Sequence, residues 1–177
     1  MKQKEKKTAE IKIDSSAKRV ALAGVCASLS IILGYVEMLI PFDIGIPGIK
    51  LGLANVAVLF VLICIDLRTA VAVSVLKVCV SSLLFGNFAS FLYSFSGALL
   101  SLTAMALMKK SNRFGTVGIS IIGGASHNIG QILAAVALTT EIRIALYLPV
   151  LLIAGTVTGA LIGVLLEMIL HRVSFTK

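Results

Sequence analysis

The sequence of 177 residues has few charged side chains, no tryptophan and three cysteines. Charged residues make up 14% of it, against about 25% in an ordinary soluble domain, and 58% of its residues are hydrophobic. A water-soluble globular domain is excluded, because too few polar residues are present to cover its surface. The cysteines lie in apolar runs without a CxxC pair, which excludes a disulfide scaffold and favours small buried hydrophobic residues.

Motifs for catalysis and metal binding are also lacking. No GxxxxGK[ST] segment is present, and Asp14, Asp43 and Asp66 are isolated, so no carboxylate pair could hold magnesium against a diphosphate. His127 has neither a second histidine nor a carboxylate in its apolar run. We therefore expect a protein that is not an enzyme and has no metal or other cofactor. The basic residues flank apolar runs and do not form a stripe with aromatics, so nucleic acid is not an expected partner.

Long apolar runs dominate the rest of the chain after a polar, basic tail over residues 1–19. Because unpaired backbone groups cannot face lipid, and the alternation of a β-barrel strand is missing, each run is predicted to form a transmembrane helix. We predict an all-α integral membrane protein of the cell membrane, with a cytoplasmic tail over 1–19 and a single compact six-helix domain over 20–177. The six runs cover residues 20–40, 51–65, 69–84, 89–108, 117–138 and 146–170.

The lysines and arginines indicate how these helices are oriented. With the N-terminus inside, thirteen of the sixteen basic residues fall in the tail and inner loops, and only Lys50 and Arg143 fall in outer loops. A missed or extra helix would have moved the later charges to the opposite side. The distribution therefore predicts that both termini lie in the cytoplasm.

Lys77 is the most unusual of the polar residues within the apolar runs, because it lies near the middle of the third one. A lysine at that depth costs roughly 2.5–3.5 kcal/mol on insertion scales, so it should face the bundle interior and meet a partner or a wet cavity. It could belong to a ligand site, or it could form a structural ion pair or extend its ammonium group to the interface.

The fifth run contains His127, Asn128 and Gln131 one turn after Gly123 and Gly124. Their spacing of three and four residues allows all three side chains to point into one cavity. Hydrogen bonding between helices is the alternative role for such groups.

The remaining candidate residues lie toward the outer face. They are Glu37 late in the first run, Lys50 and Asn55 around the start of the second, and Asn87 in the turn before the fourth. This distribution predicts a cavity that opens outward and admits a small molecule. The segment 41–50 could be a lid over it or a stiff connector. Lysines and a protonatable histidine outnumber Glu37, which favours an anionic or amphipathic ligand. The predicted binding residues are Glu37, Lys50, Asn55, Lys77, Asn87, His127, Asn128 and Gln131.

Small residues recur at intervals of four on the first helix, which lets another helix approach closely. The partner could lie within this chain or outside it. The positions are Ala17, Ala21, Ala23 and Ala27, with Gly24 between them.

Several segments resemble the small membrane family called heptaprenyl diphosphate synthase component I, also known as the Gx transporter family. The resemblance covers about residues 18–170. It is carried by PGIKLGLAN at 47–55, LLFGNF at 83–88, SHNIGQ at 126–131 and YLP at 147–149. More distantly, the chain is similar to S components of energy-coupling factor (ECF) transporters, which are six-helix proteins that bind a nutrient near the outer face.

The resemblance implies a substrate-binding subunit for uptake, in which separate ATPase and coupling subunits supply the energy. Ala23 and Ala27, and also Ala17 and Ala21, match the AxxxA pattern with which S components contact the coupling subunit. Prenyl synthases resemble one another in DDxxD motifs, which this chain lacks. The alternative function is therefore a membrane accessory subunit of isoprenoid or quinone synthesis that leaves the chemistry to a soluble partner.

Overall fold

The computed structural model describes residues 16–39 and 52–172, and these residues form helices and short turns without any strand. The segment 41–50, which includes Lys50, lies outside the described residues, and so do residues 1–15 of the predicted tail. The helices are α1 (Ser16–Leu39), α2 (Ala54–Cys64), α3 (Leu67–Phe85), α4 (Phe88–Ser111), α5 (Thr116–Thr139) and α6 (Leu148–Arg172), with a 3₁₀ helix over Ile142–Tyr147 before the last.

Five of these helices are long and apolar enough to cross a bilayer, and α2 is not. Its 11 residues extend only about 17 Å, against roughly 30 Å of hydrocarbon. Most of its side chains are buried among the other helices, which explains why α2 is apolar on all sides. The structure thus supports a multi-pass helical membrane protein, but α2 does not match the predicted span over 51–65.

Polar caps explain why the helices begin where they do. The Asp66 carboxylate accepts a hydrogen bond from the Thr69 backbone nitrogen at 2.7 Å at the start of α3. Asn87 does the same for Ser90 at 2.8 Å at the start of α4. Asn112 ends α4 in the left-handed conformation that asparagine tolerates. Short polar turns therefore separate antiparallel neighbours.

Consecutive helices run in opposite directions. Arg19 near the start of α1 forms an ion pair with Asp66 at 3.4 Å, and Lys109 near the end of α4 donates to the Leu62 carbonyl at 2.8 Å. We call this the basic end of the bundle. At the opposite end, which we call the aromatic end, the rings of Tyr35 and Phe85 stack with centroids 5.2 Å apart.

Glycines bring α4, α5 and α6 into close contact. A Cβ atom on Gly130 of α5 would lie 2.6 Å from the Ser96 carbonyl oxygen of α4, and one on Gly155 of α6 would lie 2.8 Å from that of Gly124. Lipid-facing positions carry large apolar side chains such as Leu83, which is 84% exposed. Close backbone approach at small residues is how helices associate in a solvent as apolar as their own side chains.

Asp66→Ala should lower the free energy of unfolding by about 1 kcal/mol, because the N-cap of α3 is lost. Asp66→Asn should lose less, since asparagine can still cap. Burial raises the pKa of Asp66, but the hydrogen bonds from Thr69 and the charge of Arg19 outweigh it, and the pKa lies below its ordinary value. The carboxylate's contribution is thus complete above about pH 4 and is lost as the pH falls through the lowered pKa.

Denaturation of detergent-solubilised protein at several pH values measures this effect. The stability of wild type should fall at acidic pH more steeply than that of Asp66→Asn. Equal acid sensitivity of the two proteins would contradict the assignment to Asp66.

Candidate ligand-binding cavity

A cavity of about 280 Å³ lies between α1–α3 on one side and α4–α6 on the other. It reaches from Met105 and Ser120, in the half nearer the basic end, to Gly86 and Ser90 at the aromatic end. Its wall includes six of the eight predicted binding residues, namely Glu37, Asn55, Lys77, His127, Asn128 and Gln131. The structure therefore brings together polar residues from four helices, and their role in binding stays a prediction.

Lys77 faces this cavity from the middle of α3. This position keeps its ammonium group away from hydrocarbon, where a lysine is energetically costly. Its ammonium group donates a hydrogen bond to the amide oxygen of Asn55 at 2.6 Å. Asn55 is available there because α2 begins inside the bundle, at the depth of Lys77, and not at its surface. Lys77 is expected from the sequence to face the bundle interior and meet a partner or a cavity, and in the structure it meets both.

Glu37 connects the end of α1 to the start of α2. Its carboxylate accepts a hydrogen bond from the backbone nitrogen of Gly52 at 2.5 Å. Gly52 has φ +74, a conformation that glycine adopts without strain, and it starts the turn into α2. Glu37 thus contributes a negative charge to the cavity while it holds the entrance to α2 in place.

The three polar residues of α5 have different surroundings. His127 and Gln131 pack against Gly97 of α4, where a Cβ atom would lie within about 3.0 Å of both side chains. Asn128 donates to the Leu151 carbonyl of α6 at 2.5 Å. Asn128 therefore forms the interhelical hydrogen bond considered as an alternative role, in addition to lining the cavity.

Hydroxyl groups, which were not among the predicted binding residues, form a large part of the wall. Ser74 and Ser81 lie three residues before and four after Lys77, so the three share one face of α3. Ser90, Ser94 and Ser101 repeat at helical spacing on α4 in the same way. The helical spacing of serine around Lys77 is the signal that could have found them.

The structure differs from two predictions, one on the binding residue Asn87 and one on Ala27 as a contact with a partner subunit. Asn87 does not line the cavity, because its side chain caps α4. Ala27 is buried in the core with Cys26, at 2% exposure, so it cannot contact another protein, and Ala23 packs partly against the same core. Ala17 and Ala21 are exposed, as a contact with a partner would need.

The wall of the cavity carries charged and hydrogen-bonding groups. Lys77 supplies a positive charge, His127 can carry a second one, and amides and hydroxyls surround them. Within residues 16–39 and 52–172, no cluster of three or more His, Cys, Asp or Glu side chains could hold a metal ion.

An apolar exterior, five membrane-length helices and a polar internal cavity define a multi-pass membrane protein. The family model for heptaprenyl diphosphate synthase component I matches residues 26–169, and the chain belongs to this family. No curated protein and no solved structure matches the chain.

Proposed function

We propose that this chain is a membrane-embedded solute-binding subunit of the S-component type, which takes up a small anionic or amphipathic molecule. The convergence of Lys77, Asn55, Glu37, His127 and Gln131 on one cavity supports the proposal most directly. A polar cavity inside a membrane bundle is costly unless it serves a ligand.

Release of the ligand to the other side of the membrane would need an energy source outside this chain. A coupling subunit with ATPase subunits fits the exposed small residues of α1, where a Cβ atom on Gly24 would meet nothing within 4 Å. Ala17 and Ala21 are exposed on the same helix. In this proposal the basic end faces the cytoplasm, in line with its arginines and lysines, and the aromatic end faces outward.

The ligand should be found by mass spectrometry of small molecules that remain bound during gentle detergent purification. His127→Ala should reduce the retained amount by about tenfold, since a hydrogen bond to a charged ligand is lost. His171→Ala is the matched control, because His171 is exposed near the end of α6, away from the cavity. Equal retention by wild type and both variants would reject the cavity as the binding site.

The second candidate function is a membrane accessory subunit in isoprenoid synthesis, which the family's description as a synthase component favours. Proteins that copurify with the chain distinguish the two functions. Coupling and ATPase subunits would support uptake. A prenyl synthase whose activity depends on this chain would support the accessory role.

A further inference from the structure

A second cavity, of about 810 Å³, opens on the outside of the bundle between α3 and α4. We call it the α3–α4 groove. It extends from Val78 and Phe95 to Leu67 and Asn112, and so occupies the larger part of this helix pair, on the side of the basic end. Apart from Ser74, Thr103 and the residues at its mouth, its wall is apolar. In a bilayer, an apolar recess on the outside of the helices lies within reach of the lipid acyl chains.

By comparison, α4 and α5 pack closely against each other. Their backbones meet at Gly130, and those of α5 and α6 meet at Gly155. In the groove, by contrast, Val71 and Val75 of α3 and Leu99 of α4 remain 42%, 40% and 60% exposed. The α3–α4 pair therefore presents an apolar recess, whereas the pairs α4–α5 and α5–α6 come into close backbone contact.

The mouth of the groove at the basic end is cationic. Lys109 and Lys110 line it together with Asn112. The Lys109 ammonium already donates to the carbonyls of Leu62 and Ile63 at 2.8 and 3.3 Å, whereas Lys110 is exposed. The nearby carboxylate of Asp66 is held by Arg19 and Thr69. A single exposed ammonium group thus stands at the entrance to an apolar recess.

Only a thin wall separates the groove from the polar cavity. Ser74 and Val78 of α3 and Ala98 and Leu102 of α4 line both spaces. A chain that filled the groove would pack against the outer side of this wall. It would separate the polar groups around Lys77 from the rest of the bilayer.

We propose that the α3–α4 groove binds an anionic phospholipid of the bilayer, with one acyl chain between the helices and the phosphate beside Lys110. Basic pockets between helices at a membrane surface bind acidic headgroups, and here the apolar recess continues directly from the lysine. The lipid completes the wall of the polar cavity from outside. This proposal does not depend on which molecule the polar cavity takes.

The absence of tryptophan allows a direct fluorescence test. Leu99→Trp places the only tryptophan in the groove, and Leu161→Trp places it on the lipid-facing side of α6 as a control. The two leucines are matched in exposure, at 60% and 61%, and both lie roughly 17 Å from the basic end along their helices. Each protein is reconstituted in phosphatidylcholine nanodiscs that contain a low fraction of chain-brominated phosphatidylglycerol or chain-brominated phosphatidylcholine.

Brominated phosphatidylglycerol should quench the fluorescence of the Leu99→Trp protein with an apparent affinity about fivefold higher than that of brominated phosphatidylcholine. This is the preference expected from one lysine near the membrane surface. Lys110→Gln in the Leu99→Trp background should remove that preference. The Leu161→Trp protein should be quenched equally by both lipids. Headgroup analysis of protein purified without the added tryptophan gives a second readout: phosphatidylglycerol should be enriched in wild type over Lys110→Gln.

Equal quenching of the groove tryptophan by both lipids, together with equal headgroup composition of wild type and Lys110→Gln, would overturn the proposal. A preference for phosphatidylglycerol that survives Lys110→Gln would overturn the placement of the phosphate. Displacement of the brominated lipid by a much smaller amount of a prenyl diphosphate would overturn the choice of a phospholipid as the occupant.

Discussion

Gly130→Ala is expected to lower the free energy of unfolding by about 3 kcal/mol, the upper part of the usual range for overpacking. The added Cβ would lie 2.6 Å from the Ser96 carbonyl oxygen and 2.8 Å from the Gly97 Cα atom. Both atoms belong to the backbone of α4, so no side chain can rotate away. The two helices would have to move apart. This movement would disrupt the packing of His127 and Gln131 against Gly97.

Gly24→Ala is the matched control for this experiment. Gly24 also lies within a helix, but a Cβ atom there would meet nothing within 4 Å. Alanine in a helix is more favourable than glycine by roughly 0.5–1 kcal/mol, so this variant should be as stable as wild type or slightly more stable. Chemical denaturation in the same detergent compares the two. A similar stability of Gly130→Ala and Gly24→Ala would contradict the close packing of α4 against α5.

Hydropathy could predict the helical class of the protein but not the depth of α2. The run over 51–65 is apolar apart from Asn55, so its hydropathy does not show where a helix starts. In the structure, Gly52 adopts a left-handed conformation and the helix begins only at Ala54. Backbone geometry at one glycine thus decides that α2 begins inside the bundle, and places Asn55 within reach of Lys77.

The charged and amide residues of the cavity could be predicted because such groups are rare and costly in lipid. The serines could not be recognised on that ground, since serine is common where membrane helices meet and its hydroxyl can bond to its own helix. Asn87 and Ala27 show the opposite error. Asn87 precedes Ser90 by the spacing of a helix cap, and the spacing of the alanines does not say which face of α1 points to the core.

Lys77→Met is expected to weaken retention of the cavity's small molecule by at least about 30-fold while lowering the stability of the protein only slightly. Loss of a buried charged partner costs a bound anion roughly 2 kcal/mol or more. The same change removes the hydrogen bond from Lys77 to Asn55, and hydrogen bonds between membrane helices contribute about 0.6 kcal/mol on average. Retention should therefore fall much more than stability.

This difference between the two measurements separates a ligand site from a structural role of Lys77. Arg143→Met is the control, because it removes a positive charge at an exposed position near the aromatic end, outside the cavity. It should retain the small molecule as wild type does. Mass spectrometry measures retention and denaturation in detergent measures stability, on the same preparations. If Lys77→Met instead lowered stability and left retention unchanged, Lys77 would serve the bundle through Asn55, and the proposed binding site would lose its central charge.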